Sequence, residues 1–223
     1  MKIIITGACG HIGSYVLKNI YKIKKIKKVI LLDNLNTQRY SSLFNLTNKT
    51  KFFFFNIDVS RPKSLDPFKN IDLIIHLASL TNAENSFLNK KEMFKNNLGA
   101  MKNIIKFCIK NKTKLIHISS TSVYGKQADV VNEDDASFLK PQSPYAEIKL
   151  LEEKLLNKNK NKLKYMTFRF GTIAGISPGM RFHTAINKFC FNAALKQNII
   201  IYKTAYKQYR PYLSIKDAFK TFK

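Results

Sequence analysis

The sequence predicts an α/β fold: a doubly wound parallel sheet followed by a small appended C-terminal subdomain. Three observations carry this. Short apolar runs rich in β-branched and aromatic residues recur along the chain, they alternate with segments of helical spacing, and the first run leads directly into glycines. Near-continuous apolar strands imply burial on both faces, as in a parallel sheet.

The elements follow in order. "KIIIT" (2–6) is the first strand, and "IGSYVLKNIYKI" after it has helical spacing. "KVILLD" (28–33), "KFFFFNID" (51–58) and "DLIIHLA" (72–78) are the next three strands. A helix is expected over 86–111, with Phe94, Leu98, Met101, Ile104, Ile105 and Cys108 as its apolar series. "KLIHISS" (114–120) is the fifth strand, a helix covers roughly 144–160, and "KYMTFRF" (164–170) is the sixth strand. Beyond Phe170 the pattern loosens. "GTIAGISPGMRF" reads as a loop, followed by a helix to Lys196 and a short strand "IIIY" (199–202). The expected division is a dinucleotide-binding unit over 1–172 and a partial substrate unit over 173–223.

Composition narrows the function classes. A chain of 223 residues suits one domain with an appendage. No apolar run approaches the ~18 residues of a membrane span, and "MKIIITGACG" is too short in its apolar part for a signal peptide. Cys9, Cys108 and Cys190 are widely spaced, which argues against a disulfide framework or a zinc site and for a reducing cytoplasm. The net charge of +25 is almost all lysine, spread along the chain, with only five arginines. Dedicated nucleic-acid sites favour arginine with interleaved aromatics, so the excess reads as solvated surface with a general attraction for anions, and no nucleic-acid partner is expected.

"TGACGHIGS" places Gly7, Gly10 and Gly13 between the first strand and the first helix, with His11 and Ile12 at the helix start. Glycines there let backbone approach a pyrophosphate, while the helix N-terminus offers free N–H groups and the positive end of its dipole. Asp33, 20 residues after Gly13, ends the second strand, where a carboxylate can accept both adenosine ribose hydroxyls. The pattern points to a dinucleotide in a Rossmann-like fold. Asp33 would repel a 2′-phosphate, which favours NAD over NADP.

Y-x-x-x-K occurs three times, at Tyr21/Lys25, Tyr145/Lys149 and Tyr212/Lys216, so the bare pattern decides nothing. Context selects Tyr145. "SPYAEIK" opens a helix, with Ser143 able to cap it and Pro144 suited to its first position. A spacing of four puts both side chains on one helix face. Tyrosine, with a reference pKa near ~10, needs a neighbouring cation to serve as a base at neutral pH. Ser120, at the end of the fifth strand and 25 residues before Tyr145, can bridge a substrate oxygen and the phenol. His76 and His117 read as packed core residues, and His183 lies in a candidate substrate loop.

The G-x-x-G-x-x-G spacing after Thr6 resembles the extended short-chain dehydrogenase/reductase superfamily, in its NAD-dependent epimerase/dehydratase branch. "DNL" (33–35), Asp58-Val59, "HLAS" (76–79), "NNLGAMKN", "ISSTSVYG", "RFGTIAG" and "RPYLSIKDA" continue that likeness in family order to residue 218. The resemblance implies NAD as cofactor, contacted by the glycine loop, Asp33, Asn34, Asp58, Val59, Leu77, Ala78, Ser79, Asn97, Tyr145 and Lys149. Asn96 could take the place of Asn97 by one register. It assigns hydrogen bonding to Ser120, proton transfer to Tyr145, and tuning of Tyr145 and ribose binding to Lys149. The Asp-Glu pair that a 4,6-dehydratase uses after the strand-five hydroxyl is replaced by Thr121-Ser122, which favours a nucleotide-sugar epimerase of the UDP-glucose/galactose 4-epimerase type. A keto-sugar reductase and a non-catalytic NAD-binding scaffold are the alternatives. Thr121, Thr172, Arg181, Asn187 and Arg210 are the expected substrate contacts, and a homodimer is the implied assembly. Family members usually continue well past "RPYLSIKDA", so whether this chain turns over a sugar is the open expectation.

Overall fold

In the computed structural model, residues 1–81, 87–127, 130–203, 206 and 209–223 are described. Six strands, β1 (Lys2–Thr6), β2 (Lys28–Asp33), β3 (Lys51–Asn56), β4 (Leu73–His76), β5 (Lys114–Ser120) and β6 (Tyr165–Phe170), form one parallel sheet in the order β3-β2-β1-β4-β5-β6. The chain reverses its direction of travel across the sheet between β1 and β4. This is the topological switch point at which open α/β sheets bind ligands.

Alternation of side chains along β1 builds two cores. Ile4 points to one face, where it joins Leu32, Ile74 and Leu115 under Met101, Ile104 and Cys108 of α2 (Lys90–Asn111) and Leu156 of α3 (Pro144–Lys158). Ile3 and Ile5 point to the other face, where they meet Val29 and Leu31 under Val16 and Leu17 of α1 (His11–Asn19). The same second core takes Ala218 and Phe219 of a last helix, α5 (Ile215–Lys220), and Phe222 beyond it. The C-terminal residues thus share a core with the first strand.

The helix ends are written locally. The Ser143 hydroxyl accepts from Ala146 N at 3.2 Å and Pro144 occupies the first position of α3. Lys112, with φ 52°, closes α2 in the left-handed conformation. Residue 86, where the α2 pattern was expected to begin, lies outside the described residues.

Two expectations are corrected. Burial on both faces fails for β3, where Phe53 and Phe55 stay 42% and 41% exposed. β3 is an edge strand, and the chain leaves it through turns rather than through a helix that would cover that face. Phe55 meets Phe68 edge-on at 5.2 Å, and Lys28 sits over the Phe53 ring at 5.0 Å. In the tail, "IIIY" forms no strand, and Ile200 and Tyr202 are about 70% exposed. A second, two-stranded parallel sheet arises instead from β7 (Thr172–Ala174), within the expected loop, and β8 (Tyr212–Ser214). Strand character needs a partner for its N–H and C=O groups; residues 172–174 find one in 212–214, whereas 199–202 do not pair among the described residues. The remaining helix of the tail is α4 (Ala185–Ala194). No helix among the described residues is long and apolar enough to cross a membrane.

Candidate active site

The carboxyl ends of β1, β2 and β4 open into a cleft of about 400 Å³. Gly7 and Gly10 form its floor, Asp33, Asn34, Asp58 and Val59 one wall, and Leu77, Ala78 and Ser79 the other. A second hollow, of about 560 Å³, lies at the amino ends of the strands beside Met1 and Asp72 and contains none of these groups.

The glycines are required by contact. Gly7 has φ +64°, and a Cβ there would lie 2.6 Å from Ala78 N and 2.7 Å from Leu77 C. A Cβ on Gly13 would lie 2.4 Å from Gly7 O. Gly10 N donates to Gly7 O at 3.1 Å, and Gly10 is the residue before α1, so the helix N-terminus faces the cleft. Gly7→Ala combines left-handed strain with backbone collision. It is expected to cost about 3 kcal/mol or more and to abolish dinucleotide binding. Urea unfolding and titration with NAD check both effects, and wild-type values in both would refute the cradle.

Asp33 orders the loop as it faces the cleft: its two oxygens accept from Cys9 N and Leu35 N, each at 2.9 Å. Burial and the Asp33 charge push the Cys9 thiol up to about 12, so it stays protonated and inert. Asp58 accepts from Ser60 N and Ser60 Oγ. The His11 side chain turns away and bonds Gly175 O at 2.8 Å, leaving the backbone of His11 and Ile12 at the helix start. Asn97 is buried and both accepts from and donates to Leu80 backbone, at 2.9 and 3.0 Å. It clamps the segment after β4, while its neighbour Asn96 lines the cleft.

Thr6 supports the β4 side of the cleft. Its Oγ1 accepts from Leu77 N at 3.1 Å and Ala78 N at 3.2 Å. Both lone pairs are then used, so its hydroxyl proton goes to His76 Nδ1 at 2.7 Å. That fixes His76 as the neutral tautomer with its proton on Nε2, and burial lowers its pKa to about 3.

The Ser120, Tyr145 and Lys149 candidates come from two elements that pack together, the end of β5 and the first turns of α3. Ser120 Oγ accepts from Ser122 N at 3.2 Å and caps a short 3-10 turn over 121–124. Lys149 is 4% exposed, and its Nζ lies 5.9 Å from the centre of the Tyr145 ring. The rival pairs lack such a frame. Tyr21 is half-buried on a 3-10 turn (20–22) while Lys25 lies beyond that turn and is exposed, and Tyr212 and Lys216 belong to different elements, β8 and α5.

The expected substrate residues divide. Arg181 lines the cleft and lies close enough to Tyr145 for their charges to interact. Thr121 Oγ1 reaches Phe170 O at 3.4 Å, beside Ser120. Asn187 is buried, accepting from Gly175 N and donating to Arg181 O, so its carboxamide shapes the loop that carries Arg181. Thr172 and Arg210 are exposed at the small second sheet and do not line the cleft. Sequence reasoning missed Arg39, which lines the cleft with Arg181 and His183 and lies close enough to Arg181 for their charges to interact, in a lining that also carries Asp33, Asp58 and Glu92. Its signal was present, as one of five arginines and six residues after Asp33.

The family model described as "NAD dependent epimerase/dehydratase family" matches residues 3–222. A protein of Bacillus subtilis named as an uncharacterised UDP-glucose epimerase is 29% identical over 198 residues, covering 84% of this chain and 62% of the relative. A UDP-glucose 4-epimerase of Halalkalibacterium halodurans is 29% identical over 81% of this chain and 53% of its own length. A dTDP-D-glucose 4,6-dehydratase of Dictyostelium discoideum is 30% identical over 99% of this chain and 54% of its own length. The chain thus spans 53–62% of these curated relatives. Among solved structures, a UDP-glucuronic acid 4-epimerase from Bacillus cereus, in complex with a UDP-sugar analogue and NAD, superposes with a TM-score of 0.89 at 26% identity, over all of this chain and 72% of its own. The six-stranded order, the glycine cradle and these matches agree: the chain belongs to the NAD-dependent epimerase/dehydratase family.

Proposed function

We propose that this chain holds NAD in the cleft and performs nucleotide-sugar epimerisation of the UDP-sugar 4-epimerase type. The observation that supports the reading is that Tyr145 and Lys149 lie on one face of α3, which packs against the strand end that bears Ser120, with Arg181 of the cleft lining close enough to Tyr145 for their charges to interact. The residues fit the cofactor. The glycine loop leaves room where any Cβ would collide with backbone, and the Asp33 carboxylate, ordered by two N–H donors, faces the position of an adenosine ribose. NAD, when bound, supplies a reversible hydride acceptor.

The protein's own groups handle the proton and the charge. Ser120 orients the sugar hydroxyl, Tyr145 removes its proton and later returns it, and Lys149 favours the phenolate. Arg181 and Arg39, both in the cleft lining, offer the diphosphate guanidinium forks, which are well shaped for it. The turn after Ser120 offers Thr121 and Ser122 in place of acidic groups, so it supplies no acid/base for elimination. A second copy of the chain as partner is part of the same reading, and sedimentation would test it.

The decisive experiment incubates purified protein with NAD and UDP-glucose, without added reductant. Appearance of UDP-galactose at unchanged total NADH is expected. Turnover that consumes NADH in proportion to product would replace the reading with a reductase. Bound NAD with no turnover of UDP-sugars would leave only a binding scaffold.

A further inference from the structure

Beneath Tyr145 lies a buried charge pair that the proton-transfer chemistry above does not use. Lys149 Nζ donates to Glu152 Oε2 at 2.8 Å and to Ile118 O at 3.1 Å. The same Glu152 oxygen accepts from His117 Nε2 at 2.9 Å, and His117 Nδ1 faces Thr167 Oγ1 at 3.4 Å. Glu152, His117 and Lys149 are 1%, 0% and 4% exposed. Next along the helix, Glu153 is committed elsewhere: its two oxygens hold Arg169 at 3.0 and 2.8 Å. The adjacent glutamates therefore divide two cations between them. Among the described residues, Glu152 is the one carboxylate in ion-pair contact with Lys149.

We propose that Glu152, anchored by His117, is the positioning residue that keeps the Lys149 ammonium charged and fixed beneath Tyr145. An ammonium this deeply buried loses most of its hydration and would shed its proton without a partner. The carboxylate supplies that partner, and His117 holds the carboxylate still with a second hydrogen bond. The charged or titratable groups around Lys149 are His76 from β4, His117 from β5, and Tyr145, Glu152 and Glu153 from α3, while Arg181 acts on Tyr145. Consistent with the geometry, Lys149 is raised above the usual lysine value against its burial, and Glu152 is lowered to about 2 against its own. The inference rests on Tyr145 and Lys149 being the proton-transfer pair, but its test needs neither cofactor nor turnover.

The test is NMR titration of the free protein labelled with ¹³C-lysine and ¹³C-glutamate. Lys149 is assigned by the signal lost in Lys149→Met, and Glu152 by the signal lost in Glu152→Gln. In the wild type, Lys149 should stay charged above the ordinary lysine range. In Glu152→Gln it should lose its proton about one pH unit or more below its wild-type midpoint. An unchanged Lys149 midpoint in that variant overturns the proposal and leaves Glu152 a packing residue. Should Glu152→Gln fail to fold, Glu152→Asp serves for assignment and the wild type decides: its Glu152 carboxyl should remain ionised at pH 4, and titration near the ordinary ~4.3 overturns the proposal. Absence of epimerase turnover, by contrast, would count against the functional reading and leave both midpoints untouched.

Discussion

Tyr145→Phe is expected to lower UDP-sugar turnover by about 10³-fold or more while leaving NAD affinity within about fivefold of the wild type. The phenol oxygen is the proton carrier in the proposed chemistry, and general acid–base groups of this kind contribute about 10²–10⁴ in rate. The ring itself packs at the start of α3, over Lys149, and phenylalanine keeps it there. The Lys149 anchor does not pass through the phenol, because it runs to Glu152 and Ile118 O. Fold and cradle should therefore survive. Steady-state rates with UDP-glucose, beside NAD titration by fluorescence quenching, separate the two effects. Wild-type turnover in the variant would remove Tyr145 from the mechanism and reopen the choice among the three Y-x-x-x-K pairs.

Acid should destabilise this protein earlier than carboxylates alone would make it. His76, His117 and His11 all have lowered pKa values, with burial the largest cause in each case. The sign follows from proton uptake. Below about pH 6.5 the unfolded chain protonates these rings and the native chain does not, so stability is intact above that pH and falls as the pH drops toward the folded values. His76 alone, taken from 6.5 to about 3, implies ~1.4 kcal/mol lost per pH unit and on the order of 5 kcal/mol by pH 3. Glu152, lowered from 4.5 to about 2, adds a second loss between those pH values. Urea unfolding at pH 7, 6 and 5 measures the slope. His76→Asn, whose carbonyl can still accept the Thr6 hydroxyl, should reduce it by about one proton. A flat profile from pH 7 to 5 would mean that these histidines titrate normally in the folded state.

Much of the fold was legible because it is written in local periodicity. The six strands appear within a few residues of their expected bounds, and the Ser143-Pro144 start of α3 needed only neighbouring residues to be read. The glycine loop was legible for a similar reason: three glycines between a strand and a helix leave few other physical uses. Legibility failed where an element depends on what lies across from it. Phe53 and Phe55 look like core residues until the sheet edge leaves them uncovered, and "IIIY" looks like a strand until no partner strand is found for it. The pairing of the Asn187 carboxamide with Gly175 N and Arg181 O likewise depends on how the tail packs.

Sequence by itself determined the doubly wound class, the cradle and the Ser120, Tyr145 and Lys149 candidates, because each rests on spacing along the chain. Only the tertiary structure decided that Lys149 is buried beneath the half-exposed Tyr145 ring. It also decided that Arg39 and Arg181, 142 residues apart in sequence, line one wall. And it brought His117 of β5 against Glu152 of α3, so that the lysine in "PYAEIK" is held by a carboxylate three residues away, which is itself held by a histidine from the sheet. The physical reason is the same in each case. Ion pairing and burial depend on distance through space, and the crossovers of a parallel sheet bring together residues that the sequence keeps far apart.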